Sequence, residues 1–327
     1  MTVLVAPDSF KGTYSAADVA AAIGAGIEDG GGTAVRPPVA DGGEGTFDVL
    51  CRSLRASAMP VDVLNSWGEP LSAIIGLAAA GTAVVEVAQA SGLTSARNSP
   101  QDALTAGTYG TGMLIAAAVD HGATHILVAA GGSATTDGGA GAVRAIQDHG
   151  GLRGARITVL SDVTTTFLDA PRVFGPQKGA DPAGIRLLEE RLTHLTGSYP
   201  RNPAGVPRTG AAGGLSGGLW AHFGADLVSG ADAVLDAARF DAHLESADAV
   251  VVGEGRLDSQ TGEGKIISAI LERVRNSGRT IPVVAVVGSV AADLGTYAEN
   301  FTEILIAIDA AEMQAAGKSV AGYSKRC

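Results

Sequence analysis

Short, strongly apolar runs recur along this chain, each broken off by a glycine-rich loop that carries charge, and no other feature limits its fold so tightly. VLVA at 3–6 gives way to PDSFKG, HILVAA at 125–130 to GGSATTDGGAG, RITVLSD at 156–162 to VTTTF, and DAVVVGEG at 248–255 to RLDSQTGEGK. Runs this short, bounded by turn residues, read as buried strands. Between them lie stretches with helical spacing. Val19, Ile23 and Ile27 fall at i, i+4 and i+8, Ser15 with Asp18 has the form of a capping box, and Gly30, Gly31 and Gly32 end that helix. Phe47, Leu50 and Leu54 mark a second helix. Strand and helix in alternation are the signature of an α/β fold. VLVA, AVRPPV, DAVVVGEG, IPVVAVVGS and EILIAI make five strands, enough for a flavodoxin-like parallel sheet built from both chain ends.

Between Met59 and Ala88 the texture changes. MPVDVL, PLSAIIGLA and TAVVEVA are three strand candidates with turns between them and no helix-length segment. Hairpins here predict a second α/β domain inserted into the first. The expected division is 1–63 with 242–327 for the flavodoxin-like domain, and 64–241 for the insert. TGSYPRNPAGVPR at 196–208 reads as an exposed loop.

The 327 residues carry a net charge of −11, which argues against nucleic acid or an anionic membrane as partner. Cys51 and Cys327 stand far apart, so no disulfide scaffold is expected and a reducing compartment fits. The N-terminus has no basic segment before its brief apolar run, and no apolar stretch reaches membrane-spanning length. The expectation is a soluble, cytoplasmic protein acting on small molecules. Whether it forms a homo-oligomer stays open at this point.

The common nucleotide signatures are missing. There is no GxGxxG, and a phosphate-loop reading fails at both GK pairs: Ser259 stands where the first glycine is needed before Lys265, and AAGKS at 315–319 lacks it too. His121 and His125 have a metal-like spacing, but Gly122 lies between them and no Glu accompanies them. What remains is a set of strand-end loops bearing acids and cations: Asp8 and Lys11 in PDSFKG, Asp41 and Glu44 in ADGGEGT, GTYGTG at 107–112, GGSATTDGGAG at 131–141, Asp162, Lys178 in FGPQKGA, GAAGGLSGG at 210–218, and Glu254, Arg256, Asp258 and Lys265 in GEGRLDSQTGEGK. Any one of these could be a capped turn. Together they supply what phosphoryl transfer needs: carboxylates for Mg²⁺, cations for the transferring group and backbone N–H groups for phosphates.

APDSFKGTYSA, PVADGGEGT, GTGMLIAAAVDHGATHILVAAGGSATTDGGAG, RVFGPQKGA, GAAGGLSGG and GEGRLDSQT, in this order, resemble the bacterial glycerate kinase family. The resemblance runs from residue 2 to about residue 288. It implies ATP-dependent phosphorylation of D-glycerate at the 2-hydroxyl, and two domains, one of them flavodoxin-like. Three departures stand out. The family's longer segment between Ile146 and RITVLSD is reduced to QDHGGLRGA, its DVTNPL is replaced by DVTTTF, and no further helix is expected after Ala307, where relatives continue with another one.

Roles are expected as follows. Asp8, Lys11, Asp162, Lys178 and Arg256 form the catalytic set, with Asp8 or Asp162 orienting or deprotonating the acceptor hydroxyl. Arg256 suits a carboxylate or phosphate, against the alternative of a salt-bridge network with Glu254 and Asp258 that shapes the loop. Gly110, Gly131, Gly132, Ser133, Thr135, Asp137 and Lys265 are expected to bind ATP, although Asp137 could equally cap its helix. Asp41, Glu44 and Asp258 are the expected Mg²⁺ ligands. Phosphorylation of another hydroxy acid, or a catalytically silent metabolite binder, are the alternatives.

Overall fold

The computed structural model describes residues 1–10, 12–40, 45–93, 99–258 and 266–322. Lys11, Asp41, Glu44 and Lys265 lie outside the described residues. Along the chain the strands are β1 (Thr2–Pro7), β2 (Thr33–Val35), β3 (Ser57–Leu64), β4 (Pro70–Ala78), β5 (Thr82–Glu86), β6 (His125–Ala129), β7 (Arg156–Ser161), β8 (Asp226–Ser229), β9 (Ala249–Glu254), β10 (Val283–Val287) and β11 (Glu303–Ile306).

The chain folds into two compact units, residues 1–41 with 231–327 and residues 42–230. The first holds a parallel sheet in the order β11-β10-β9-β1-β2. In the order of the strands within this unit, that is the 2-1-3-4-5 flavodoxin-like arrangement. β9 and β10 are buried along their whole length, as strands covered on both faces must be. The helices Ala16–Asp29 and Ala310–Ala321 pack against Val3, Val5, Val251, Val284 and Val286. Ser15 caps the first of them as its sequence predicts: its hydroxyl accepts from the Asp18 N–H while the Asp18 carboxylate accepts from the Ser15 N–H. The second, capped by Asp309, corrects the expectation that no further helix follows Ala307. Its apolar positions Met313, Ala316 and Val320 fall on one face and are buried there.

The second unit holds a sheet in the order β3-β4-β5-β6-β7-β8. β3, β4 and β5 are antiparallel, matching the hairpin texture of that segment, and β5 to β8 run parallel. The division differs from the expected boundaries at both crossings, for identifiable reasons. β3 pairs with β4 in unbroken register from Ser57↔Leu77 to Leu64↔Pro70, so MPVDVL belongs to the insert. The helices Gly230–Ala237 and Phe240–Leu244 belong to the first unit, where Arg273 is ion-paired with Asp232, Asp236 and Asp241. Among the described residues no helix is long and apolar enough to cross a membrane.

Candidate active site

In the first unit, successive connections run one way from β1 to β2 and the other way from β9 to β11. A crevice therefore opens at the carboxyl ends of β1 and β9, the place where open α/β sheets take ligands. A pocket of about 480 Å³ lies there, lined by Asp8, Ser9, Thr13, Glu254, Arg256 and Asp258, with Gly288 and Ser289 from the end of β10. Its walls are extensions of the sheet. The Asp8 N–H donates to the Gly253 carbonyl at 2.8 Å, Gly288 N–H to Glu254 at 3.2 Å, and Leu257 N–H to Ser289 at 2.9 Å. The Asp8 carboxylate also accepts from the Ser9 N–H at 2.7 Å, and Phe10 is buried beneath the loop. Glu254 is buried and Arg256 is exposed. Asp8, Arg256 and Asp258, three residues singled out by sequence, thus share one pocket. Ser289 and Thr13 were missed, although VVGS closes a strand just as PDS does, and position after a strand was the usable signal.

The remaining candidates stand on loops of the second unit. Asp162 directly follows β7 and is half-buried. Gly131, Gly132, Ser133 and Thr135 follow β6, where Ser133 and Thr135 are buried. Lys178 ends the short helix Pro176–Lys178 and is buried too, its ammonium donating to the Thr135 carbonyl at 2.6 Å and to Ser133 Oγ at 3.2 Å. A cavity of about 140 Å³ lies against Lys178, Gln177, Trp67 and Asp102. Burial pulls the Lys178 pKa down to about 7, against the nearby Asp137 carboxylate, which acts the other way.

That depressed pKa fixes a sign. An unfolded lysine keeps its proton to about pH 10, so above pH 7 the unfolded chain binds more protons at this site than the folded one, and stability rises with pH. Urea unfolding is expected to show wild type gaining on Lys178→Met by up to about 2 kcal/mol between roughly pH 7 and pH 9. A pH-independent difference between the two proteins would mean that Lys178 keeps its charge throughout.

Two expected nucleotide ligands carry internal duties. The Asp137 carboxylate accepts from the Thr108 N–H and hydroxyl, both at 2.8 Å, from the Gly139 N–H at 3.0 Å and from the Gly141 N–H at 3.1 Å. The helix Tyr109–Asp120, entered through GTYGTG, thus already holds the chain's own carboxylate at its positive end. Gly110 lets that helix approach β3: a β-carbon there would stand 1.7 Å from the Leu64 carbonyl oxygen.

The profile of the glycerate kinase family matches residues 3–149 and 146–321. The chain belongs to this family. The two matched stretches meet at 146–149, where QDHGGLRGA replaces the longer segment that the resemblance implied. A glycerate kinase of Bacillus subtilis (strain 168) is 34% identical, with all of this chain and 95% of the relative covered. A glycerate 2-kinase of Escherichia coli (strain K12) is 33% identical over 94% of this chain and 90% of its own length. A crystal structure from Salmonella typhimurium LT2, provisionally named glycerate kinase 2, superposes with a TM-score of 0.84 at 32% identity, covering 100% of this chain and 98% of the other. As a glycerate kinase family member the chain is a phosphotransferase with an alcohol group as acceptor, and membership implies ATP as donor.

Proposed function

We propose that the chain transfers the γ-phosphoryl group of ATP to the 2-hydroxyl of D-glycerate, giving 2-phosphoglycerate and ADP. The observation that carries this reading is the switch-point pocket, where the carboxylates of Asp8, Glu254 and Asp258 share a lining with the guanidinium of Arg256. A planar guanidinium grips a carboxylate with two parallel hydrogen bonds, which suits the acid group of glycerate. A carboxylate, Asp8 or Asp162, orients the acceptor hydroxyl and takes its proton. The hydroxyl oxygen forms the new bond to phosphorus, the bond from phosphorus to the bridging oxygen breaks, and ADP leaves. Little covalent work falls to the protein, and rate comes from position and charge. Lys178 and the loop of Gly131, Gly132, Ser133 and Thr135 are the candidates for phosphate binding on the second unit, together with Lys11 and Lys265.

The donor set suits Mg²⁺. Among the described residues no three acidic, His or Cys side chains form a ready-made cation cage, and Mg²⁺ asks for less: one or two carboxylates, with phosphate oxygens and water completing its shell. Asp258 would hold it from the pocket, with Asp41 and Glu44 as the other candidates, and the ion would offset charge on the phosphate oxygens. We place the protein in the cytoplasm, where ATP and Mg²⁺ are plentiful.

Coupled ADP release with D-glycerate, L-glycerate, tartronate and no acceptor tests the reading, before and after chelation of Mg²⁺. Turnover is expected with D-glycerate only while Mg²⁺ is present, with a product whose phosphorus NMR signal is that of 2-phosphoglycerate. ADP release that ignores the acceptor, or none at all, would sink the proposal.

A further inference from the structure

We propose that Arg208 is a positioning residue for this reaction: its guanidinium fastens the loop that presents Asp162. The inference rests on the kinase reading above. It begins from a backbone conformation. Arg208 sits at φ +68°, in the left-handed region, where a β-carbon is crowded and glycine is the residue that fits without cost. The chain does use glycine close by, at Gly213 (φ +64°) and Gly214 (φ +90°). Arg55, Arg153, Ala212 and Arg239 share such a conformation, so what sets Arg208 apart is the use of its side chain.

The side chain shows that use. Arg208 Nη1 donates to the Ser161 carbonyl at 2.7 Å and makes a longer contact, 3.5 Å, with the Val163 carbonyl. Those are the two carbonyls on either side of Asp162. Ser161 Oγ closes the same turn, accepting from the Val163 N–H at 3.2 Å and donating to the Val163 carbonyl at 3.0 Å. The backbone adds two further ties, from the Arg208 N–H to Thr164 at 3.1 Å and from the Gly210 N–H to Thr165 at 3.0 Å. Gly210 lies so close to this loop that a β-carbon there would stand 2.3 Å from the Thr166 carbonyl. The Arg208 carbonyl is held in turn by the Ser216 hydroxyl at 2.7 Å. Arg208 is therefore fixed through its N–H and its carbonyl, and its charged end sits on carbonyls of the two residues that flank Asp162.

The clamp from Arg208 is charge-assisted, which makes it stronger than a neutral hydrogen bond.

The test uses the full chain and separates positioning from folding. Arg208→Gly removes the clamp and relieves the backbone, so its Tm is expected to match or exceed that of wild type. Its kcat is expected to fall by about tenfold to a hundredfold, the range for a misplaced reacting group, with KM for glycerate little changed. Arg208→Lys, which keeps one charged donor but not the fork, is expected to recover part of kcat. Because Arg208 acts through Asp162, Arg208→Gly is expected to cost nothing further in an Asp162→Asn background. Hydrogen exchange is expected to quicken at the amides of residues 161–166 and not elsewhere. Wild-type kcat in Arg208→Gly, a lowered Tm with unchanged kcat, or two losses that simply multiply in the double variant would each overturn the positioning role. A wild-type protein without glycerate-dependent ADP release would overturn the kinase reading itself, and this inference with it.

Discussion

Replacing Arg256 with alanine is expected to lower kcat/KM for glycerate by roughly a hundredfold or more, about 3 kcal/mol of transition-state stabilisation, the scale of losing one preorganised donor. Tm should hardly move, because the side chain is exposed and lines the pocket rather than the core. The reasoning is electrostatic. Glycerate brings a carboxylate into a lining that already contains Asp8, Glu254 and Asp258, and without a cation facing it that approach is repulsive. Arg256→Lys keeps the charge and loses the two-pronged geometry, so it should fall between the two. Initial rates against glycerate at saturating ATP decide the matter. If Arg256→Ala turns over like wild type and loses stability instead, the residue shapes its loop with Glu254 and Asp258 and does not bind substrate.

The five-stranded sheet was legible because its inner strands β1, β9 and β10 are short, apolar and buried almost throughout, which leaves few other readings for a run such as DAVVVG. The first helix was legible for a similar reason, with a regular apolar spacing behind a local cap. The limits of the units were less so. Where a chain passes from one sheet to another is decided by strand pairing, and the partner of MPVDVL is visible only once β4 lies beside it. The triple ion pair at Arg273, which draws the helices Gly230–Ala237 and Phe240–Leu244 into the first unit, joins residues separated by some thirty positions or more. The final helix was missed because AAEMQAAGKSVA is weakly apolar, and its burial comes from packing.

Site residues divided along the same line. Asp8, Arg256 and Asp258 could be grouped from sequence, and they line one pocket, because crevices in such sheets follow strand ends, a rule that sequence alone can apply. Asp137 and Gly110 looked alike on paper, an acid and a glycine in glycine-rich turns, yet their duties are set by distant partners. Asp137 ties its own loop to the Thr108 turn, and Gly110 admits the Leu64 carbonyl. Arg208 could not have been found at all without its contacts to the Ser161 and Val163 carbonyls, since in the sequence it is one more arginine in a loop rich in proline and glycine.

The seam between the helices Ala16–Asp29 and Ala310–Ala321 carries the largest expected stability effect. Gly317→Ala is expected to destabilise the protein by about 3 kcal/mol, the upper part of the range for overpacking. Helix propensity argues the opposite way, since alanine is favoured over glycine in a helix interior by about 1 kcal/mol. Geometry settles which effect wins. A β-carbon on Gly317 would stand 2.0 Å from the Ile23 carbonyl oxygen, and one on Gly26 would stand 1.8 Å from that of Gln314. Both obstacles are backbone atoms, so no rotamer change relieves them and the helices must part. Parting them would loosen Ile23, Ile27, Met313 and Val320, all of which are buried in the core of that unit. Gly197, in the helix Pro182–Ser198, is the control: nothing lies within 4 Å of the position its β-carbon would take, so Gly197→Ala should gain up to about 1 kcal/mol. Urea unfolding of the three proteins measures both signs at once. If Gly317→Ala proves as stable as wild type, the two helices do not meet backbone to backbone at that point.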